Sequence, residues 1–261
     1  MLNFPMKVSV PYAPALERTL RLREGQVISG PSVSCVMVSR GVGFPASQAI
    51  DCFRRQSYAN RELVIVTSVR DSAVGRLVAE LGDPMIRYFE VEDRALGELR
   101  NFGVARATGD FIAHWDDDDL YHPDRLSLQM AAIAATGAKA CFLSRLLLWW
   151  PERELLRVSY GRAWEGSMMA DRTVMPVFPA LAREEDFYVA ERIAKLHEIV
   201  QIDYPMGYCY IVHDRNVNDE EHFEQVFFKS SAIDNCPSYA DAVALIGESL
   251  PLGKYAAESA G

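Results

Sequence analysis

The chain has 261 residues, 49% of them hydrophobic, and a formal net charge of −9. This size and composition fit one large α/β domain or two small ones with a substantial core. The 27 Lys and Arg residues are scattered rather than clustered, which argues against a nucleic-acid-binding protein, because such proteins depend on concentrated positive charge.

Cysteine usage and hydropathy give expectations about location. The five cysteines are odd in number and widely spaced, so neither a disulfide framework nor a zinc knuckle is indicated, and reduced thiols are expected. The amino terminus lacks a signal-peptide pattern, and no apolar run approaches the roughly 20 residues of a membrane span. We therefore expect a cytoplasmic protein without a transmembrane segment. It would act peripherally at the inner membrane face if its acceptor is linked to a lipid.

Strands and helices alternate in the first half of the chain. Continuous β-rich runs, typical of strands covered on both faces, are followed by segments with helical spacing. Strands are predicted at residues 33–38, 62–66, 85–91 and 111–115, and helices at 46–56, 71–81 and 96–107. This order indicates a parallel sheet, in which the carboxyl ends of the strands are the usual place for ligands. Residues 1–30, with a short strand at 7–10 and a helical stretch at 16–23, are interpreted as an extension packed on this core.

The pattern changes beyond Gly137. A helix is predicted before it, at 124–136, and two strands after it, at 140–149 and 154–160, around a turn at Pro151. This segment is predicted to be antiparallel and to face the substrate. The remaining predicted elements are a helix at 183–198, a β-rich stretch at 200–212 and one helix in the tail at 239–250.

Four adjacent aspartates, residues 116–119, follow the strand predicted at 111–115. Adjacent carboxylates repel one another, so they make sense mainly where a cation neutralises them, and Mg²⁺ and Mn²⁺ choose carboxylate oxygens. At the end of a buried strand the cluster predicts a metal and phosphate site. The alternative is a solvated acidic turn that caps the helix starting near Pro123, because Asp favours turns and helix starts.

Two further acid–base candidates lie in the second half. Glu184, Glu185 and Asp186 open a predicted helix, where one carboxylate would act as general base toward an attacking hydroxyl. The alternative is simple charge placement at the positive end of the helix dipole. His213 follows an aromatic strand and is a candidate ligand of the same metal, although a lone histidine is more often only hydrogen-bonded.

Arg100 and Asn101 lie in the helix before the acidic strand. The guanidinium of Arg100 would bind a phosphate or hold the aspartates in position, and an exposed helix cation is the alternative. The segment from Gly41 to Gly43 is too weak a pattern for a dinucleotide site, because GxGxxG is absent and no helix is predicted to start there. Walker and GxSxG motifs are also absent, which argues against P-loop enzymes and α/β-hydrolases.

Taken together, these motifs resemble the GT-A glycosyltransferases, and most closely the inverting group known as glycosyltransferase family 2. The resemblance covers residues 31–218. It rests on segments in the family's order: an opening strand at 33–39, a second strand with its lead-in at 56–66, an Arg-Asn helix at 99–105, a DXD region at 109–119, an acceptor-side strand at 166–169, a base-bearing motif at 185–186 and a late histidine region at 210–216. It implies an α/β fold with a mostly parallel, Rossmann-like sheet, flanking helices and a small antiparallel acceptor-side segment.

The resemblance also implies a role for each candidate. Asp116 and Asp118 would be the DXD carboxylates, Asp118 bearing most directly on a Mn²⁺ or Mg²⁺ ion and Asp116 also on the ribose or sugar. His213 would complete the ligands of the ion. Asp186, with Glu185 beside it, would deprotonate the acceptor hydroxyl. The implied nucleotide-sugar ligands are Ser39, Arg40, Thr67, Ser68, Arg100, Asn101, Asp116 and Asp117.

Two departures from the family's pattern concern the nucleobase. Thr67 and Ser68 stand where family members commonly have an acid, and Arg40 stands where an aromatic residue is frequent. UDP, GDP and dTDP therefore all remain open as the nucleotide of the donor.

The expected function is transfer of a sugar from a nucleoside-diphosphate sugar to a hydroxyl or amine of a small-molecule, glycan or lipid-linked acceptor, with inversion. The alternatives are a nucleotidyltransferase, whose glycine- and lysine-rich loop is missing near residue 41, and a non-catalytic nucleotide-sugar-binding protein. A homodimer is one expected assembly. The expected divisions are an extension at 1–30, a nucleotide-sugar-binding half at 31–120, an acceptor-binding and catalytic half at 121–218 and an extension at 219–261.

Overall fold

The computed structural model describes residues 8–10, 30–40, 43–181, 183–216 and 220–253, with residues 8–10 as backbone. They form two β-sheets flanked by helices. The strands are β1 (Val8–Val10), β2 (Val33–Ser39), β3 (Arg61–Thr67), β4 (Ile86–Glu90), β5 (Phe111–His114), β6 (Leu120–Tyr121), β7 (Ala140–Leu143), β8 (Leu147–Trp150), β9 (Leu155–Val158), β10 (Met169–Asp171), β11 (Ile199–Ile202) and β12 (Tyr208–Ile211). The helices are α1 (Gly43–Arg54), α2 (Ala73–Leu81), α3 (Leu96–Arg106), α4 (Arg125–Thr136), α5 (Glu185–Leu196), α6 (Glu220–Phe228) and α7 (Tyr239–Gly247).

The main sheet has eight strands in the order β1-β11-β7-β10-β5-β2-β3-β4. All neighbouring strands are parallel except β10, which runs antiparallel between β5 and β7. Because β2 and β3 lie inside the sheet, their successive apolar side chains are almost all buried. The prediction of an α/β fold with a mostly parallel sheet is confirmed.

Two glycines let helix α3 lie close to its neighbours. A Cβ atom at Gly103 would lie 2.5 Å from Cγ1 of Val36, so α3 packs directly on β2. A Cβ atom at Gly97 would lie 1.9 Å from the carbonyl oxygen of Pro179, so the start of α3 packs against the segment before α5. The absence of these two side chains therefore brings α3 into contact with both the sheet and the acidic start of α5.

The second sheet has four strands in the order β6-β12-β8-β9 and contains the antiparallel pairs expected of this half. The prediction of one strand at 140–149 is wrong, because β7 joins the main sheet whereas β8 joins the second. Between them Arg145 donates two hydrogen bonds to Asp203, of 2.7 and 2.6 Å. Every residue of β7 and β8 is buried, so the period of the side chains carried no sign of this break.

The helices differ from the predictions in three places. Helix α1 begins at Gly43, so a helix does start in the glycine segment, contrary to the expectation. Helix α5 begins at Glu185 rather than at residue 183, because Glu184 has a left-handed backbone with φ of 60°. Helix α6 lies in the tail, where only α7 was predicted.

The predicted divisions of the chain stay a prediction. The extension at 1–30 contributes β1, which pairs with β11 in the main sheet, and the helical stretch predicted at 16–23 lies outside the described residues. The main sheet contains strands from both sides of residue 120. Among the described residues, none of the helices combines the length and apolar character needed for a membrane span.

The close approach at Gly97 predicts that Gly97→Ala destabilises the protein. The added methyl would collide with a backbone oxygen, which moves at greater cost than a side chain, so the free energy of unfolding should fall by about 1–3 kcal/mol. Urea denaturation measures the change. Gly161→Ala is the matched control, because a Cβ there meets no atom within 4 Å. Equal stability of the two variants would contradict the assigned contact.

Candidate active site

The four aspartates, residues 116–119, form the acid loop between β5 and β6. This loop lies at the carboxyl end of a central strand of the main sheet. Trp115, directly before them, is fully buried, and its indole Nε1 donates a 3.1 Å hydrogen bond to the carbonyl oxygen of Ala49. The hydroxyl of Tyr121 accepts a 2.7 Å hydrogen bond from the backbone N–H of Asp116. The aspartates therefore stand on an anchored loop at the strand end where ligands were predicted to bind.

Asp119 ties this loop to the second sheet. It is 1% exposed, and its carboxylate accepts hydrogen bonds from the backbone N–H of Ile211, at 2.8 Å, and from the hydroxyl of Tyr208. Burial, and then the charges of Asp118 and Asp116, raise the pKa of Asp119 well above its ordinary value. Asp119 thus holds β12 against the loop.

Asp116 is bound by protein groups on both carboxylate oxygens. Its Oδ1 lies 3.1 Å from the guanidinium of Arg100 and 3.0 Å from Nε2 of His114, and its Oδ2 accepts a 3.2 Å hydrogen bond from Tyr208. Burial alone would raise the pKa of Asp116, but His114 and Arg100 hold it well below its ordinary value. The carboxylate is therefore ionised and fixed in orientation.

Asp117 faces the end of β2. Its carboxylate accepts hydrogen bonds from the side chain of Ser39 and the backbone N–H of Arg40. Burial, followed by the charge of Asp118, raises the pKa of Asp117 to about 7. The structure thus brings together three residues that the sequence assigned to the nucleotide sugar.

Asp118 contacts His213, 95 residues later in the chain, with 3.1 Å between Oδ2 and Nε2. Nδ1 of His213 accepts a 3.1 Å hydrogen bond from the backbone N–H of Arg215. With Nδ1 as the acceptor of this bond, Nε2 is the ring nitrogen that contacts Asp118. A metal bound at Nε2 would require the proton on Nδ1, so ligation would exchange the Arg215 bond for a metal bond.

Arg100 is buried between two acidic segments. Its Nε donates a 2.7 Å hydrogen bond to Glu185, and the same guanidinium bonds to Asp116. Arg100 is 7% exposed and Glu185 2%. Burial alone would lower the pKa of Arg100, but Asp116, Glu185 and Asp186 raise it above its ordinary value. Of the two roles considered for Arg100, these contacts match the one that holds the aspartates in position.

Asn101 has a different set of partners from the one implied by the resemblance. Its Nδ2 donates to the carbonyl oxygen of Phe178 at 2.8 Å, and its Oδ1 accepts from the backbone N–H of Phe178 at 2.8 Å. Because both amide atoms bind the segment before α5, Asn101 fixes that segment to α3, and its assignment to the nucleotide sugar stays a prediction.

Asp186 is half-buried in the first turn of α5, beside Glu185. Its Oδ1 accepts a 2.8 Å hydrogen bond from the backbone N–H of Phe187. Its charge acts on Arg100, on Glu165 and on the phenol of Tyr210. The two predicted catalytic acids are therefore neighbours in the first turn of α5. Glu185 is paired with Arg100, whereas Asp186 has no ion pair with any described residue.

The polar residues at the ends of β2 and β3 lie beside one another. Ser39 and Thr67 are register partners in the parallel ladder. The hydroxyl of Thr67 accepts a 3.1 Å hydrogen bond from the backbone N–H of Val69, so it shapes the loop that contains Ser68. These residues border the acid loop through the contact of Asp117 with Ser39.

Sequence reasoning missed Glu165 and Arg125. Glu165 is buried and pairs with Arg162, and burial raises its pKa. Arg125 is fully buried beneath the acid loop, with its guanidinium carbon 5.1, 4.7 and 5.4 Å from the ring centroids of Trp115, Tyr121 and Tyr208. Charged residues are usually exposed, so the sequence pattern did not indicate that the side chains of Glu165 and Arg125 are buried.

The structure does not bring Asp116, Asp118 and His213 together as one metal-binding group. Across the described ranges, no cluster of three or more His, Cys, Asp or Glu is arranged to hold an ion. Both carboxylate oxygens of Asp116 instead contact protein groups, which are Arg100, His114 and Tyr208. Asp118 and His213 do fit a divalent ion as a pair, since Mg²⁺ is often held by one or two protein ligands together with substrate phosphates.

The chain was compared with known protein families. Residues 45–153 match the family model described as Glycosyl transferase family 2. The resemblance predicted from the motifs is thereby confirmed. The family 2 region contains Arg100 and the four aspartates, whereas Asp186 and His213 lie beyond it.

Curated relatives match over part of the chain. The succinoglycan biosynthesis protein ExoO of Rhizobium meliloti (strain 1021) is 32% identical over 110 residues, which are 42% of this chain and 32% of ExoO. The putative colanic acid biosynthesis glycosyl transferase WcaA of Escherichia coli (strain K12) is 32% identical over 106 residues, 40% of this chain and 38% of WcaA. The matches thus span about a third of the length of these relatives.

Solved structures share the fold. The mannosyltransferase PcManGT from Pyrobaculum calidifontis, in complex with GDP-Man and Mn²⁺, has a TM-score of 0.54 at 18% identity over 94% of this chain and 85% of its own. S. aureus TarS 1-349 in complex with UDP-GlcNAc has a TM-score of 0.54 at 11% identity over 75% of this chain and 64% of its own. The predicted GT-A fold class is confirmed.

The buried pair predicts that Arg100→Met is strongly destabilising. The variant leaves Glu185 buried without its cation, so the free energy of unfolding should fall by about 3–5 kcal/mol. Urea denaturation without divalent ions measures this. Arg192→Met, on the exposed face of α5, is the control. The double variant Arg100→Met with Glu185→Leu should recover part of the loss, and a double variant no more stable than the single one would argue against the pairing.

Proposed function

We propose that this chain is a metal-dependent glycosyltransferase that moves a sugar from a nucleoside-diphosphate sugar to an acceptor hydroxyl or amine, with inversion. The observation that carries the proposal is the contact of Asp118 with His213 beside an acid loop that Arg100 links to the start of α5. One strand end thus has a candidate ion site and an unpaired carboxylate, Asp186. The family 2 match over residues 45–153 supports the same chemistry.

We assign the donor to the carboxyl ends of β2, β3 and β5. Ser39, Arg40, Thr67 and Ser68 would border the nucleoside, because they end two neighbouring parallel strands next to Asp117. Neighbours of this fold are complexed with UDP-GlcNAc in one case and GDP-Man in the other, so the fold alone does not select the base. Asp116, fixed by Arg100 and His114, would hold the loop in the orientation that faces the ribose and sugar.

Asp118 and His213 would hold the divalent ion, for which Mn²⁺ and Mg²⁺ are the candidates. When bound, the ion would supply Lewis-acid stabilisation of the negative charge that develops on the departing nucleoside diphosphate. Burial, and then like charges, raise the pKa values of Asp117 and Asp119. A cation at this loop would relieve the repulsion between those charges, which supports the proposed ion site.

Asp186 would act as general base. Its Oδ1 is held by the backbone N–H of Phe187, which orients the carboxylate and leaves Oδ2 to accept the proton of the acceptor hydroxyl. Glu185 is not available for this step because it is bound to Arg100. Glu185 would instead fix the first turn of α5, so that Asp186 keeps its place as the acceptor oxygen attacks the anomeric carbon from the side opposite the diphosphate.

Asp186→Asn should retain nucleotide binding and lose transfer. An amide cannot take the acceptor proton, so kcat for sugar transfer should fall by about 10²–10⁴-fold, while the Kd of the donor stays within a factor of about two. Transfer assays and calorimetry measure the two quantities. Glu184→Gln, the exposed carboxylate two positions earlier, is the matched control and should remain active. Comparable activity in Asp186→Asn would remove Asp186 from the mechanism.

Asp118→Asn should weaken binding of nucleotide only when metal is present. Removal of a ligand charge should raise the Kd of the Mn²⁺–nucleotide complex by at least about tenfold. Thermal shift with UDP, GDP and dTDP, each with and without Mn²⁺, measures this. Asp214→Asn is the control, because the side chain of Asp214 is 79% exposed beside His213. An unchanged Mn²⁺ response in Asp118→Asn would count against the ion site, and a parent protein that binds nucleotide without turnover would favour the non-catalytic alternative.

A further inference from the structure

Strand β12 presents two tyrosines to the acid loop. Side chains two residues apart in a strand point to the same face, so Tyr208 and Tyr210 share one. The hydroxyl of Tyr208 bonds to Asp116 and Asp119, which shows that this face looks onto the aspartates. Tyr210 lies farther along the strand, toward His213.

The ring of Tyr210 is held in place by packing against α6. It is half-buried, and its ring centroid lies 5.9 Å from that of Phe223 on α6. It is also the register partner of Leu148 on β8. The direction of the phenol is therefore set by packing rather than by a polar contact.

The hydroxyl of Tyr210 is close to carboxylates without binding them. Burial, and then the charges of Asp119, Asp118, Asp116 and Asp186, raise the pKa of Tyr210 well above its ordinary value. The phenol therefore keeps its proton and is a hydrogen-bond donor at any working pH. Yet within the part of the chain that the structure describes, its hydroxyl makes no hydrogen bond, in contrast to that of Tyr208. Its hydroxyl is therefore a donor that no described group uses, within reach of the charges of Asp118 and Asp186.

A diphosphate at the acid loop would need donors that are not already used. Arg100 is a buried cation in contact with the acid loop, but its guanidinium is already bonded to Asp116 and Glu185. A neutral phenol can donate to a phosphate oxygen, and it adds no charge to the acid loop. Tyr208, on the same strand face, bonds to two aspartates of the loop, and most of the charges that act on Tyr210 are those of the loop. The phenol is therefore on the side of the site that we assign to the donor.

We propose that Tyr210 is a diphosphate-binding residue, whose hydroxyl donates a hydrogen bond to a phosphate oxygen of the donor and of the departing nucleoside diphosphate. The inference rests on the proposed function and adds a ligand to the same site. Because the hydrogen bond goes to a charged acceptor, loss of the Tyr210 hydroxyl should raise the Kd of the diphosphate about tenfold or more.

Binding of inorganic pyrophosphate with Mn²⁺ tests this contact without assuming a base or a sugar. In Tyr210→Phe, which lacks only the hydroxyl, calorimetry should give a Kd for Mn²⁺–pyrophosphate about tenfold or more above that of the parent. The Kd for Mn²⁺ alone should not change, because Asp118 and His213 are intact. The Kd values of UDP and GDP with Mn²⁺ should rise by the same factor, whereas those of uridine and guanosine should not change.

Tyr88→Phe is the matched control. Tyr88 lies on β4, the outermost strand of the main sheet, and its hydroxyl bonds to Ser72 and Glu90. An unchanged Kd for Mn²⁺–pyrophosphate in Tyr210→Phe would overturn the inference while leaving the proposed function intact. A rise confined to the acceptor KM would overturn it as well, since the phenol would then serve the acceptor. A parent protein that binds neither nucleotides nor pyrophosphate would overturn the proposed function itself.

Discussion

The buried ion pairs of Arg100 are the interaction on which the candidate site depends. Its guanidinium joins Asp116, in the loop after β5, to Glu185, 85 residues beyond Arg100 in the first turn of α5. Two buried carboxylates would repel each other without a cation between them, and a buried cation would be equally unfavourable without them. One side chain therefore holds the acid loop and the start of α5 together, and the missing Cβ atom of Gly97 allows α3 to bring it there.

The four aspartates have identical side chains, but their contacts differ. Asp116 and Asp119 turn inward, where Arg100, His114, Tyr208 and the backbone of Ile211 satisfy their oxygens. Asp117 turns to the end of β2, and Asp118 turns to His213. The run of like charges is tolerated because each carboxylate has at least one protein partner, and Tyr208 serves both Asp116 and Asp119.

The two sheets contribute different parts of the candidate site. The main sheet supplies the ends of β2, β3 and β5, and residues 45–153, which match the family 2 model, contain β3 and β5. The second sheet supplies β12, with the phenols of Tyr208 and Tyr210 and with His213 at its end. The fold persists in neighbours of 11% and 18% identity, which indicates that the pattern of buried strands, more than the identity of the side chains, maintains it.

The sequence by itself determined the parallel core and the place of the acid loop, because buried strands and adjacent carboxylates leave local patterns. It also located Asp186 and His213 as candidates. The tertiary structure decided which protein groups the side chains of the site contact. The resemblance assigned Asn101 to the nucleotide sugar and Glu185 to the catalytic step. Their protein partners, Phe178 and Arg100, lie 77 and 85 residues away in the chain, so no local pattern displays these contacts. The bend between β7 and β8 and the burial of Arg125 and Glu165 were likewise decided by packing, since a uniformly buried segment or a lone charge has no period that a sequence can display.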